Sequence, residues 1–123
     1  MPYSAYVISP ESRALIIKRH PALFPEQIAH HITYRFPDQE RPPPVGEVRV
    51  VGYAKDISLG LECLVVSIDG TSERPSGGIY HITLSLDRSL GAKPVLSNRI
   101  LESGWERLES TYRVEVEPTL LSS

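Results

Sequence analysis

The chain has 123 residues, of which 41% are hydrophobic and 23% charged, and its formal net charge is −2. This length suits one compact domain, residues 1–123, and the composition excludes a disordered or fibrous protein. Because no global positive field exists, we expect no long nucleic-acid duplex as a partner. The single Cys63 excludes an intramolecular disulfide and a cysteine-based zinc site. No apolar run spans a membrane and no signal sequence opens the chain, so we expect a cytoplasmic protein without a membrane partner.

Strand and helix patterns follow one another in the first half of the chain. Residues 5–8 predict a strand, and residues 11–19 predict a helix that ends before Pro21. Residues 28–36 are rich in β-branched and aromatic side chains and predict a second strand, which carries two adjacent histidines. The three consecutive prolines within residues 38–46 predict an extended connector.

Strands dominate the second half of the chain, which therefore completes an α+β protein. Ser97 is a candidate capping residue for a short helix that ends at Gly104. Residues 120–123 are expected to fray. Strands are predicted at residues 47–54, 61–68, 79–86 and 112–117, and the helix at residues 97–102.

One tripeptide, His-Ile-Thr, occurs twice, at residues 31–33 and 81–83, each time inside a predicted strand. Side chains alternate along an extended chain, so the histidine and threonine of each copy project from one face and the isoleucine from the other. If the two strands lie side by side, two imidazoles and two hydroxyls converge on a volume about the size of a phosphate. We therefore predict four catalytic residues: His31, Thr33, His81 and Thr83.

This set of side chains suits phosphodiester chemistry. Histidine titrates near neutral pH, so a neutral imidazole can accept a proton from a nucleophile while a protonated partner donates one to the leaving oxygen. Threonine hydroxyls can donate hydrogen bonds to nonbridging phosphate oxygens. The scheme requires no metal and no cofactor. The alternative is structural, because histidine and threonine also occur together in half-buried strands.

Four further residues are predicted to contact the substrate. Lys93 follows a glycine, and Ser97 and Asn98 stand at a predicted helix start, where a cation and free N–H groups favour an anion. Helix capping alone also explains Ser97. Tyr80 is a candidate for stacking on a base. These predicted substrate-binding residues are Tyr80, Lys93, Ser97 and Asn98.

The remaining histidines and large aromatic residues are interpreted as structural. In a regular strand His30 faces away from His31, and His20 lies in a loop before a proline. Phe36 and Trp105 are assigned to packing.

The paired motifs resemble those of the 2H phosphoesterase superfamily, which is named for two His-x-Thr or His-x-Ser motifs. Its members include RNA ligase-associated cyclic phosphodiesterases and phage enzymes that degrade cyclic nucleotide signals. Residues 6–13 are similar to the family's first strand and helix entry, and residues 93–98 to a segment of small RNA-repair-associated relatives. The resemblance implies a bilobal α+β fold with few short helices, in which two β-α lobes face a central groove with one motif in each. It also implies metal-independent cleavage with one histidine as base and the other as acid.

Three functional hypotheses follow. The first is a phosphodiesterase that hydrolyses a nucleotide 2′,3′-cyclic phosphate or a cyclic oligonucleotide, and two intact motifs favour it because acid–base catalysis needs both histidines. The second is a noncatalytic nucleotide- or phosphate-binding module, and the third a small structural domain. The short spacing of the motifs implies reduced lobes, and the negative net charge favours a small nucleotide or an RNA end. We expect a bell-shaped pH dependence centred near neutrality.

Overall fold

The computed structural model describes residues 1–123. It is an α+β protein, built mostly from one antiparallel sheet of eight strands with two short helices, α1 and α2, and two short 3-10 turns. In chain order the elements are β1 (Pro2–Ile8), α1 (Pro10–Arg19), β2 (Glu26–Gln27), β3 (His31–Arg35), β4 (Val48–Asp56), β5 (Leu61–Ile68), β6 (His81–Leu86), the 3-10 turns (Arg88–Leu90 and Pro94–Leu96), α2 (Ser97–Glu102), β7 (Glu106–Arg113) and β8 (Val116–Ser122).

Helix α1 begins and ends where the sequence predicts. The Ser9 side chain accepts a hydrogen bond from the Ser12 N–H at 3.1 Å, and Pro10 occupies the first turn, where a missing N–H costs nothing. Lys18 and Arg19 lie in the last turn, next to the partial negative charge of the helix end. No helix of the protein has both the length and the apolar character needed to cross a membrane.

The strands are ordered β7-β4-β5-β6-β3-β1-β8, and β2 pairs with β6. Only Val114 and Glu115 separate β7 from β8 along the chain. The Val114 N–H donates to the Val48 carbonyl at 2.9 Å, and the Ser9 N–H donates to the Glu115 carbonyl at 2.9 Å. One continuous segment therefore forms both ends of the sheet, where β7 pairs with β4 and β8 pairs with β1.

Hydrophobic side chains pack against both faces of the sheet. The larger cluster includes Tyr6, Ile32 and Ile82, and Ile16 of α1 packs into it. The smaller cluster lies on the opposite face, where α2 covers β4 and β5. The face that carries the smaller cluster also carries the polar residues of β3 and β6, since these alternate with Ile32 and Ile82.

Two predictions for the C-terminal region are wrong. Residues 120–123 do not fray as a unit, because β8 runs to Ser122 and pairs with the whole of β1, from Pro2 to Ile8. The predicted strand at residues 112–117 instead spans the junction between β7 and β8. β8 has no alternation of apolar and polar residues, and the distant strand that pairs with it is not visible from local sequence.

Candidate functional site

A cavity of about 420 Å³ opens on the sheet face beside α2 and is lined by twelve residues. Its volume lies within the range of about 300–1,000 Å³ that is usual for small-molecule sites. Both copies of the tripeptide contribute their polar side chains to this one cavity. The four residues, called the quartet below, are His31, Thr33, His81 and Thr83.

The quartet is arranged around a local two-fold axis. The motif strands β3 and β6 are antiparallel neighbours and Ile32 pairs with Ile82, the middle residues of the two copies. In this register the histidine of each copy lies opposite the threonine of the other, and the two histidines lie on a diagonal. Diagonal neighbours on one face of a sheet have Cα atoms about 7–8 Å apart, and both imidazoles face the same cavity.

A backbone hydrogen bond orients His81. Its Nδ1 lies 2.8 Å from the Ile79 carbonyl oxygen, which can only accept, so Nδ1 carries the proton in the neutral ring. Nε2 is therefore left for a ligand. Burial lowers the pKa of His81, the Ile79 carbonyl opposes this, and the positive charge of Arg74 lowers the pKa further.

His31 is oriented by two side chains. Its Nδ1 lies 2.9 Å from Nδ1 of His30, and its Nε2 lies 3.5 Å from the Tyr3 hydroxyl. Burial lowers the pKa of His31 to about 4, with further contributions from the charges of His30 and His81. Both quartet histidines are therefore neutral at pH 7 in the free protein.

The prediction that His30 faces away from His31 is wrong. Their rings lie 5.2 Å apart, edge to face, and share the Nδ1 hydrogen bond. Regular alternation fails here because Ala29 adopts a left-handed backbone conformation with φ of 43°, and β3 begins only at His31. The irregular backbone places both imidazoles together, with His30 exposed and His31 half-buried.

Ser97 supports the site from behind and does not cap α2. Leu96 is the N-cap residue and makes no side-chain capping bond. Ser97 is fully buried, and its hydroxyl lies 2.9 Å from that of Thr83. This bond connects the first residue of α2 to the second motif and fixes the position of the Thr83 hydroxyl.

The other three predicted substrate-binding residues differ in position. Asn98 lines the cavity, and its Nδ2 donates to the Val95 carbonyl at 3.2 Å. Lys93 is exposed and is not among the lining residues. Tyr80 is 4% exposed and belongs to the larger hydrophobic cluster, because it lies on the opposite side of the strand from His81. The structure thus brings Asn98 to the quartet but not Lys93 or Tyr80.

Arg74 is a cavity residue that the sequence analysis did not identify. It is half-buried, and its Nε donates to the Gly77 carbonyl at 2.8 Å. Gly77 and Gly78 adopt φ angles of 102° and 85°, and a side chain at Gly78 would approach the Arg74 Nη2 atom to 3.3 Å. The available signal was an arginine in a glycine-rich loop just before the second motif. None of the twelve lining residues is Asp or Glu, so this guanidinium favours an anion.

Tyr3 and Phe36 were also not predicted as site residues. Phe36, which the sequence assigned to packing, does pack against Tyr3 but is 55% exposed and lines the cavity, so it lies outside the core. The two rings lie 5.5 Å apart, and Tyr3 lies 5.7 Å from the His31 ring. β1 and β3 bring these residues together from separate parts of the chain, which no local pattern reveals.

A second group of polar residues lies at another cavity, next to the loop that follows α1. Glu62 is almost fully buried and accepts hydrogen bonds from the Tyr53 hydroxyl at 2.6 Å, the Leu23 N–H at 2.8 Å and the Ser85 hydroxyl. The His20 ring stacks near Tyr53. These contacts satisfy the buried carboxylate and anchor the loop, which is a structural role.

No family model, no curated protein and no solved structure matches this chain. No three His, Cys, Asp or Glu side chains are grouped so that they could hold a metal ion.

Proposed function

We propose that the protein is a phosphodiesterase of the 2H type that hydrolyses a nucleotide 2′,3′-cyclic phosphate or a small cyclic oligonucleotide without a metal. One observation carries the proposal. The two His-Ile-Thr segments lie on adjacent antiparallel strands, and all four polar side chains line one cavity. A pair of imidazoles and a pair of hydroxyls around a two-fold axis fits the two sides of a phosphodiester.

The connection between the motif strands supports a bilobal 2H-type arrangement. β3 pairs with β6 at Ile32 and Ile82, and the segment before β3 also pairs with β6, with Glu26 opposite Leu86 and Gln27 opposite Ser85. In the sheet order, β3, β1 and β8 lie on one side of this junction and β6, β5, β4 and β7 lie on the other, so each side contributes one motif.

In the proposed reaction a water molecule attacks phosphorus while one ribose oxygen leaves. A neutral imidazole of the quartet accepts a proton from the water, and the other, protonated imidazole donates a proton to the leaving 2′ or 3′ oxygen. One P–O bond forms, one P–O bond breaks, and the product is a phosphomonoester. The two histidines end with exchanged protonation states, which solvent restores.

The substrate itself helps to charge the acid. Burial keeps both histidines neutral in the free protein, but the negative charge of a bound phosphodiester favours an imidazolium and raises its pKa. Thr33 and Thr83 can donate to the nonbridging oxygens, and Arg74 adds a fixed positive charge at the cavity wall. The protonated state is therefore reached in the complex.

A noncatalytic nucleotide- or phosphate-binding module is the second candidate. The lowered pKa of both histidines counts in its favour, because at pH 7 the free site lacks the protonated imidazole that the acid step of hydrolysis needs. Such a module uses the same hydroxyls and Arg74 but forms no product.

Product analysis separates the two functions. Purified protein treated with EDTA is incubated between pH 5 and 8 with 2′,3′-cyclic mononucleotides, linear diesters and cyclic dinucleotides, and the products are identified by mass spectrometry. The same chain carrying both His31→Ala and His81→Ala, purified in parallel, controls for contaminating nucleases. We expect a phosphomonoester from at least one cyclic substrate. Binding without product at any pH would favour the module, and turnover that requires added metal would contradict the proposed chemistry.

A further inference from the structure

The two sides of the cavity differ in chemistry. Across the sheet the order is β1, β3 and then β6, so Tyr3 of β1 lies on one side of the quartet. The segment that leads into α2 lies on the other side, where the Pro94 carbonyl is 3.5 Å from the Thr83 hydroxyl. The first side is aromatic, with Tyr3 and Phe36, and the second is aliphatic, with Pro94 and Val95.

Phe36 offers ring surface that no other side chain covers. Its ring packs against Tyr3 at a tilt of 48°, yet the residue remains 55% exposed at the cavity wall. Tyr3 in turn lies beside His31. A flat apolar surface therefore stands next to one histidine of the quartet, and nothing equivalent stands next to the other.

We propose that Phe36, supported by Tyr3, forms a nucleobase subsite on the His31 side of the cavity. This inference rests on the proposed function, because it assumes that the phosphate lies within the quartet. A ligand that contacts both the quartet and the Phe36 ring must carry an anionic phosphate and a planar ring separated by about the length of a sugar. A nucleotide meets this requirement. Stacking on an aromatic ring tolerates any base, so Phe36 contributes affinity for the base class rather than for one base.

The subsite replaces the stacking candidate taken from the sequence. Tyr80 is buried in the larger hydrophobic cluster and has no free ring face. Val95 is 66% exposed on the opposite side but has no planar surface, so that side suits a ribose or the remainder of an oligonucleotide.

Equilibrium titration tests the subsite without requiring turnover. Adenosine 3′-monophosphate, uridine 3′-monophosphate and base-free 1-O-methylribose 3-phosphate are titrated into the full chain and into Phe36→Ala, Phe36→Trp and Ile57→Ala variants. Ile57 is the matched control, since it is also a large exposed hydrophobic residue, 60% exposed, and lies outside the cavity. Thermal unfolding of each variant verifies that it folds.

We expect Phe36→Ala to weaken the binding of both nucleotides roughly 5- to 100-fold, because the base loses the aromatic ring on which it stacks. The affinity for the base-free phosphate should not change. Phe36→Trp should restore nucleotide binding, and Ile57→Ala should have no effect. If Phe36→Ala weakens the binding of all three ligands equally, or weakens the binding of none, the proposed subsite is overturned. If cyclic nucleotides are hydrolysed but Phe36→Ala leaves nucleotide binding intact, the subsite fails and the phosphodiesterase stands. If nucleotides bind through Phe36 but are never hydrolysed, the subsite stands and the phosphodiesterase proposal fails.

Discussion

His31 and His81 are similar in sequence but their Nδ1 atoms have different partners. The Ile79 carbonyl can only accept, so it fixes the proton on Nδ1 of His81. His30 can donate or accept, so the Nδ1 proton between His30 and His31 belongs to either ring. The two quartet histidines therefore differ in their hydrogen bonds, and in the proposed mechanism His30 acts through His31 as a positioning residue.

Replacement of His30 should alter the pH dependence of kcat/KM and should have a smaller effect on the fold. Because the charge of His30 lowers the pKa of His31, His30→Ala should raise that pKa and move the limb of the kcat/KM profile that His31 governs to higher pH. The pH dependence of kcat/KM measures this shift. His20→Ala is the matched control, since His20 lines a different cavity. A His30→Ala profile that coincides with the wild type would remove the positioning role.

At the scale of elements, the site depends on how α2 attaches to the sheet. α2 has only six residues, and its first residue, Ser97, holds it to Thr83 through a buried pair of hydroxyls. Short helices gain their stability from such tertiary contacts rather than from their own hydrogen bonds. The wall formed by Pro94, Val95 and Asn98 is therefore held by this bond together with the buried Ile100 and Leu101 of α2.

Ser97→Ala should destabilise the protein and disturb the site at once. The substitution removes the shorter of the two hydrogen bonds of the Thr83 hydroxyl and leaves the one to the Pro94 carbonyl, at a cost of about 0.5–1.5 kcal/mol. Urea denaturation should show this loss, and kcat should fall because the Thr83 hydroxyl is held less firmly. Ser89→Ala, which removes an exposed hydroxyl in the first 3-10 turn, serves as the control. Unchanged stability of Ser97→Ala would show that the hydroxyl pair does not support the site.

The elements were predictable where local chemistry decides them. Ser9 and Pro10 mark the start of α1, and the alternation around Ile32 and Ile82 places the two motifs on strands. The pairing of β8 with β1 and the kink at Ala29 were not predictable, since one needs a distant strand and the other a backbone conformation rare for alanine. The grouping of the two histidines and two threonines follows from local alternation, whereas Arg74 and Phe36 reach the same cavity through contacts between distant parts of the chain.

For the whole molecule, burial of the quartet determines how activity responds to pH. The proposed mechanism needs one neutral and one protonated imidazole, and the pKa values of both are lowered in the free protein. The singly protonated form is therefore most populated below pH 6.5, so the kcat/KM optimum should lie on the acid side of neutrality rather than at it. The kcat optimum should lie higher, because bound phosphate raises both pKa values. A rate that rises steadily to high pH would indicate hydroxide or metal-bound water instead.

The same buried histidines should make stability fall in mild acid. In the folded protein the pKa values of His20, His31 and His81 are all lowered, whereas in the unfolded chain they return to about 6.5. Below that pH the unfolded state binds more protons, so the free energy of unfolding should decrease as the pH falls from 6.5 toward 4. Thermal unfolding at pH 7.5, 6 and 5 measures the trend. A melting temperature that rises as the pH falls from 7.5 to 5 would contradict the burial of neutral histidines.

The measurement that tests the central claim most directly is a double-mutant cycle on the quartet histidines. Turnover of a hydrolysed cyclic nucleotide is measured for the wild type, His31→Ala, His81→Ala and the double variant, with exposed Lys93→Ala as control. Each single variant should lose about 10²- to 10⁴-fold in kcat, and the double variant should lose no more than the worse single one, because both imidazoles act in one step. Full turnover in either single variant, or losses that multiply in the double variant, would contradict the proposed two-histidine mechanism.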